Sequence, residues 1–499
     1  MSPHSKASPD LGLSGYTMLV SIFNDVIGPV MRGPSSSHCA AALRIARLAR
    51  DLMGGQFQDV LVEFDRQGSL ATTHESQGSD MGLFGGLLGW DAADERLPKS
   101  AEAIRQSGVK VRIAIVDSRD PHPNTYRLTL RNAQEQHRLV GVSTGGGMVE
   151  IIDVDEFAVS IAGDYYETLL RVPGHAGEIA TRLADLIEAD EIVVHESPAG
   201  KLVEVKAQQF VPDAAIATLD KALPIRWTRR LAPVLPVLSR RGMTVPFTTC
   251  NEMRRHDANR NTPLWKLAVE YEGSRSALGE GEIIAKMAEI VRIVRRSIAD
   301  GIAGTHHDDR ILGHQCGALK ARMDAGRLLG GGPFNRVVLY VSALMEVKSS
   351  MGVIVAAPTA GACAAMPGAC IAVAAGMAAA ALVTLAEGSL AQAVAAASMA
   401  FQAMLGLICD PVANRVEVPC LGKNVMAAGN ALACANMALA DYDPVIPLDE
   451  VIETARRVGN SMPRELRCTA LGGLSVTSTS REVERRLAER RTASRAASG

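Results

Sequence analysis

Aromatic residues are scarce in this chain: Phe, Tyr and Trp together make 4% of its 499 residues. So few rings leave little from which to build a platform for stacked bases. Neither sign of charge dominates, since 52 basic residues face 54 acidic ones and the net charge is −2. The electrostatic footprint of a nucleic-acid or anionic-membrane binder is missing, and no partner of either kind is expected. Residues 1–10 are polar and hold no apolar run, which argues against a secretory signal. Nine cysteines in a chain of this length are too dilute for a disulfide scaffold. In the reducing cytoplasm, where the chain is expected to work, they are thiols or metal ligands.

Charge is absent altogether from Met351 to Ala386. The run is long enough to cross a bilayer, for which about 20 apolar residues suffice. Pro358, Pro367, the Gly and Ala bias and the lack of a second comparable run favour a buried helical hairpin instead.

What the chain does hold is apolar bulk. Hydrophobic residues make up 47% of it, enough for large cores, and its length suggests about two to four domains. Short β-type runs such as Val60–Phe64 and Val111–Val116 alternate with helical stretches such as Cys39–Leu52. A βαββαβ-like unit follows. Thr168–Val172 reads as a strand, Pro173–Gly177 as a turn and Glu178–Ile187 as a helix. Glu191–Glu196 and Lys201–Val205 read as a hairpin, and Asp213–Leu223 as the second helix. This spacing suits a ferredoxin-like module. Arg226–Pro246, rich in Arg and Pro, reads as a linker, and Asn261–Arg490 as helical almost throughout. The fold class expected is therefore multidomain: an N-terminal α+β domain over 16–162, the ferredoxin-like module over 163–228 and a C-terminal all-α domain over 251–488. A flexible tail (1–15), a linker (229–250) and a second tail (489–499) complete the chain.

Two constellations carry chemistry. Gly33-Pro34-Ser35-Ser36-Ser37-His38 precedes a helix, and three hydroxyls beside helix N–H groups suit a carboxylate. His38 adds an acid or base; the plainer reading is a helix cap with an incidental histidine. Gln77-Gly78-Ser79-Asp80, His122-Pro123-Asn124-Thr125 and Ser143-Thr144-Gly145-Gly146-Gly147 are polar loops that one face could gather, or simple turns. In the helical half, Cys409 and Cys420 bracket a loop broken by Pro411 and Pro419, while Cys363 and Cys370 flank Pro367. Thiols on such breaks suit a metal or cluster, but buried apolar cysteines are also common.

Gly33–His38, His122–Thr125, Pro358-Thr359-Ala360-Gly361, Gly406–Ala413 and Val418-Pro419-Cys420 resemble the bacterial iron–sulfur L-serine dehydratases. The resemblance runs from about residue 16 to 488 in the order β part, ACT regulatory module, α part, as in a fusion. It implies a [4Fe–4S] cluster held by three cysteines, whose open iron acts on the substrate hydroxyl without pyridoxal phosphate. It implies Cys409 and Cys420 as ligands, with Cys370 the third and Cys363 as substitute. His38 and His122 would be catalytic, and Ser35, Ser36, Ser37, Gln77, Asp80, Asn124, Thr359 and Gly361 would bind substrate. An amino-acid effector at Pro173–Gly177 and a homo-oligomer are also expected, although the module could merely pair subunits through its sheet edge.

The chain departs from the family pattern in three places. The Gly-Cys-Gln stretch that carries the usual third cysteine is missing. Gln77 stands where the family has a histidine, and Ala496-Ala497-Ser498-Gly499 offers no terminal cysteine. Two other readings stay open: a paralogue acting on another β-substituted amino or hydroxy acid, and a non-catalytic amino-acid-binding protein.

Overall fold

The computed structural model describes residues 19–28, 30–33, 35–329, 331–357 and 369–497. Its first strand, β1 (Val30–Arg32), leads into the helix Ser36–Leu52. Alternation then does what its period requires: β2 (Asp59–Asp65) turns Val60, Val62 and Phe64 fully inward. With β3 (Lys110–Val116), β4 (Thr125–Arg131), β5 (Gln136–Gly145), β6 (Met148–Val154) and β7 (Phe157–Ile161) it forms one sheet. The order is β3-β2-β4-β5-β6-β7, parallel only between β2 and β3. Helix Ser36–Leu52 lies on this sheet, its Ile45, Leu48 and Leu52 in the main core. Helix Ser79–Leu87 packs on its other side. A Cβ added at Gly82 would lie 2.0 Å from the Cys39 carbonyl oxygen, and one at Gly86 2.2 Å from that of Leu43. Only glycine permits so close a backbone approach.

The next unit is β8 (Tyr166–Val172), helix Ala176–Leu186, β9 (Glu191–Ser197), β10 (Gly200–Ala207), helix Asp213–Ala222 and β11 (Trp227–Leu231). Its antiparallel sheet has the order β11-β8-β10-β9, the ferredoxin-like arrangement that the spacing predicts. Ile179, Leu183 and Leu219 of the two helices close over Leu170, Val172, Val203 and Val205. The Arg- and Pro-rich stretch differs from its reading as a linker, because its first residues form strand β11. Arg229 pairs with Glu135 and Arg230 with Asp213, so those charges serve the fold. Residues 232–249, without helix or strand, make the connector.

The C-terminal half is helical with one correction: β12 (Val353–Val355) pairs antiparallel with β1, Met31 opposite Ile354. Three residues are too few to show as a strand in an apolar run. Within the uncharged segment, the described residues hold this strand and the helix Ala369–Leu385. That helix forms its hairpin with the following one, Leu390–Gln402, across Gly388 and the capping Ser389. Small residues, among them Ala375, Ala379, Ala396 and Ala400, fill the contact. Among the described residues, no helix is long and apolar enough to cross a membrane.

The chain's beginning is sewn to its second half. Ser21 Oγ donates to Glu272 Oε1 and the Ile22 N–H to Glu272 Oε2, both at 2.7 Å. Asn24 bonds Val237 through both backbone groups.

Candidate functional site

The serine loop enters the helix sooner than its sequence suggests: Ser36, Ser37 and His38 form the first turn of Ser36–Leu52. Ser35, at the cap position, makes no capping hydrogen bond. Its Oγ instead lies 2.7 Å from His38 Nδ1. The first-turn donors that a cap would satisfy are therefore not satisfied by Ser35. All three serines are buried, 4–6% exposed, which a mere solvent-facing cap does not require.

Opposite this turn lies the Cys409–Cys420 segment. Its intervening loop is pinned from three sides. Arg415 makes two hydrogen bonds to Asp309, at 2.6 and 2.7 Å. Ser480 Oγ accepts from the Ala413 N–H, and Glu417 accepts from the Ile311 and Leu312 N–H groups. Burial raises the Glu417 pKa against the pull of those donors. Cys420 opens helix Cys420–Leu439, after a cis Val418–Pro419 peptide. One turn on, Lys423 Nζ donates to the Ile408 carbonyl at 2.7 Å and to Asp410 Oδ1 at 2.8 Å. That lysine ties the Cys409 segment to the helix that begins with Cys420.

A third segment joins them. The Cys409 N–H donates to the Leu466 carbonyl at 3.0 Å and the Cys468 N–H to the Cys409 carbonyl at 2.8 Å. Cys468 itself has φ +62°, a left-handed conformation uncommon for a residue with a side chain.

These pieces meet in one cavity of about 460 Å³, within the range of small-molecule sites. Ser35, Ser36, Ser37, His38 and Asn124 line it from one half of the chain. Cys409, Cys420, Cys468, Lys423 and Lys348 line it from the other. Ser69 and Ser143 also reach it, and Ser69 Oγ donates to Asn124 Oδ1.

Other expected residues lie elsewhere. Gln77 is 1% exposed, off the cavity wall, and neither amide atom has a partner. Asp80 also misses the wall and is held at 2.7 Å by His74 Nδ1. Burial opposes charge on His74, but the Asp80 hydrogen bond and charge prevail and its pKa is raised. His122 stands behind Asn124, whose N–H donates to its Nδ1 at 3.2 Å; desolvation lowers its pKa. Thr359, Gly361 and Cys363 lie outside the described residues. Cys370 falls in the first turn of helix Ala369–Leu385, and its side chain is likewise outside them.

Sequence reasoning passed over Lys348, Lys423 and Cys468. The lysines sit inside helical patterns and give no local signal. Cys468, before Thr469-Ala470-Leu471-Gly472-Gly473, lies on the kind of glycine-bearing break that drew attention elsewhere.

The donor set suits an iron–sulfur cluster in kind, since thiolates are the usual ligands of such clusters. Among the described residues no three His, Cys, Asp or Glu side chains are gathered around one ion. A cluster does not ask for that, because each thiolate takes a different iron.

Comparison with known proteins finds relatives for both parts of the chain. A family model described as serine dehydratase alpha chain matches residues 259–374 and 368–475. A probable L-serine dehydratase beta chain of Bacillus subtilis (strain 168) is 34% identical over 207 residues, covering 40% of this chain and 93% of its own length. A probable alpha chain of the same organism is 33% identical over 250 residues, covering 41% and 83%. The alpha chain of Peptoniphilus asaccharolyticus is 28% identical over 281 residues, covering 47% and 94%.

Proposed function

This chain belongs to the L-serine dehydratase family, and from that premise we propose that it converts L-serine to pyruvate and ammonia. The observation that carries the proposal is the single cavity. It sets a serine-rich helix start against two cysteines more than 370 positions away in sequence. A small zwitterionic substrate needs such opposed surfaces, one for its carboxylate and one for the carbon that loses its hydroxyl.

The first turn of Ser36–Leu52 would take the carboxylate, through helix N–H groups and the Ser36 and Ser37 hydroxyls. Lys348, on the facing wall, adds positive charge; Lys423 beside it is paired with Asp410. Asn124, positioned by Ser69 and by His122 behind it, would orient the substrate. His38, its Nδ1 engaged by Ser35, would carry a proton at its other ring nitrogen, Nε2. Loss of the α-proton and the β-hydroxide gives an enamine and water. Its imine tautomer takes up water and releases ammonia with the 2-oxo acid.

Cys409 and Cys420 would hold a [4Fe–4S] cluster. When bound, such a group with one iron open supplies a Lewis acid for the hydroxyl. No pyridoxal phosphate enters this reading. Residues 166–231 are taken as an ACT-like regulatory module, supported by the strand order. The pieces before and after it are taken as the β-type and α-type parts. A cytoplasmic homo-oligomer is part of the same reading.

The test is anaerobic purification followed by iron and sulfide analysis and a pyruvate assay with L-serine. About four irons per chain, the content of one such cluster, with pyruvate formation is expected. Cys409→Ser and Cys420→Ser should each lose the iron, since a hydroxyl is a poorer ligand than thiolate. Full iron and absorbance in both variants would remove these ligands from the proposal, and a wild type without pyruvate formation would remove the reaction.

A further inference from the structure

We propose that Cys468 is the third thiolate ligand of the cluster, an inference that rests on the cluster reading above. Three observations carry it.

The first is position. Cys409, Cys420 and Cys468 line the same cavity. The other described cysteines do not. Cys39 is sealed in the N-terminal core, where burial pushes its thiol up to about 12. Cys250 lies beside Asp449, Cys316 begins a helix packed elsewhere, and Cys434 belongs to the alanine-lined helical core.

The second is backbone coupling. The paired hydrogen bonds from Cys409 N–H to Leu466 and from Cys468 N–H to Cys409 place the two cysteine backbones side by side. Lys423 in turn ties the Cys409 segment to the helix that Cys420 opens. The three thiol carriers are thus fixed to one another, Cys409 to Cys468 through main-chain atoms and Cys409 to the Cys420 helix through the Lys423 side chain, which is how a ligand set is positioned before its metal arrives.

The third is conformation and charge. Cys468 is held at φ +62° while Arg467, its neighbour, is anchored through Nε to the Met462 carbonyl at 2.8 Å and through Nη2 to that of Asn460. Such strained residues persist only where surrounding structure enforces them, and they gather at functional sites. Thiolates bound to a cluster carry negative charge, and Lys348 and Arg467 on the same wall offset it, whereas Lys423 is balanced by Asp410. On ligation each thiol gives its proton to solvent, so metal uptake releases protons.

The experiment compares full-length wild type, Cys468→Ser, Cys370→Ser and Cys363→Ser after anaerobic reconstitution with ferrous iron and sulfide. The readouts are bound iron, acid-labile sulfide and visible absorption, with circular dichroism of the iron-free proteins to show equal folding. Cys468→Ser should retain iron at least about ten-fold less well, the smaller end of what removing even an outer-shell partner costs. Cys370→Ser and Cys363→Ser should retain it. Alkylation of wild type, mapped by mass spectrometry, should modify Cys468 in the iron-free form and spare it in the loaded form. Full iron in Cys468→Ser together with alkylation of Cys468 in the loaded wild type overturns this inference and leaves the cluster reading standing. A wild type that takes up no iron overturns the cluster reading itself.

Discussion

Ser35 and His38 hold each other at 2.7 Å across the mouth of a helix, and the proposed catalytic role of His38 rests on that contact and on its place in the cavity wall. A histidine that merely follows a cap would leave the serine free to bond the helix. Replacing His38 by Ala should lower turnover with L-serine by about 10²-fold, the scale of a positioned acid or base. KM should change less, because the carboxylate is bound by the neighbouring turn. Steady-state kinetics check this; turnover equal to wild type would reduce His38 to a structural neighbour. At this scale the sequence was readable where chemistry clusters locally. The Ser-Ser-Ser-His run, Asn124, Cys409 and Cys420 could be picked out, because unusual residues adjoin one another or sit on proline breaks. Gln77 and Asp80, expected to bind substrate, do not line the cavity: Asp80, in the first turn of Ser79–Leu87, is held by His74, and Gln77 is turned into the interior. Cys468 escaped because its partner Cys409 is far away in sequence and nearby only after folding.

Elements were more legible than their ends. Period-2 and period-3.6 patterns located β2, β3, β8, β9 and β10 and the helices Ser36–Leu52, Ala176–Leu186 and Asp213–Ala222. Strand β11 stayed hidden because its arginines, which satisfy Glu135 and Asp213, look like linker charges when read singly. Strand β12 stayed hidden because its pairing with β1 joins residues over 300 positions apart. The packing of Ser36–Leu52 on Ser79–Leu87 makes an element-scale prediction. A methyl at Gly86 would meet the Leu43 carbonyl oxygen at 2.2 Å, and both helices are anchored in the core. Gly86→Ala should cost about 1–3 kcal/mol, the usual price of overpacking, seen as a lower denaturant midpoint. Gly177→Ala, where a methyl meets nothing within 4 Å, should leave the midpoint nearly unchanged. Equal midpoints for both variants would show that the helices can separate without loss.

On the scale of the whole molecule, the ferredoxin-like unit stands between the two sets of cavity residues in sequence without lining the cavity itself. Such a position suits control, and an effector can act only by favouring one conformation over another. Gly174→Val fills the open turn before helix Ala176–Leu186, and Gly177→Val the open side of that helix's first turn. They should abolish any response of the rate to free amino acid while leaving turnover intact. Wild-type kinetics that are hyperbolic in serine, with no amino acid bound away from the active site in calorimetry, would make the unit a spacer. The connector at 232–249 has a consequence of its own. In Bacillus subtilis the beta and alpha relatives carry separate chain names, and two chains that build one cavity must find each other at cellular dilution. Here β1 meets β12 within one molecule, so the effective concentration of one for the other is set by the connecting chain and not by the concentration of the protein. The cavity therefore closes by a first-order event, at a rate that dilution does not change and with its two walls always made in equal number.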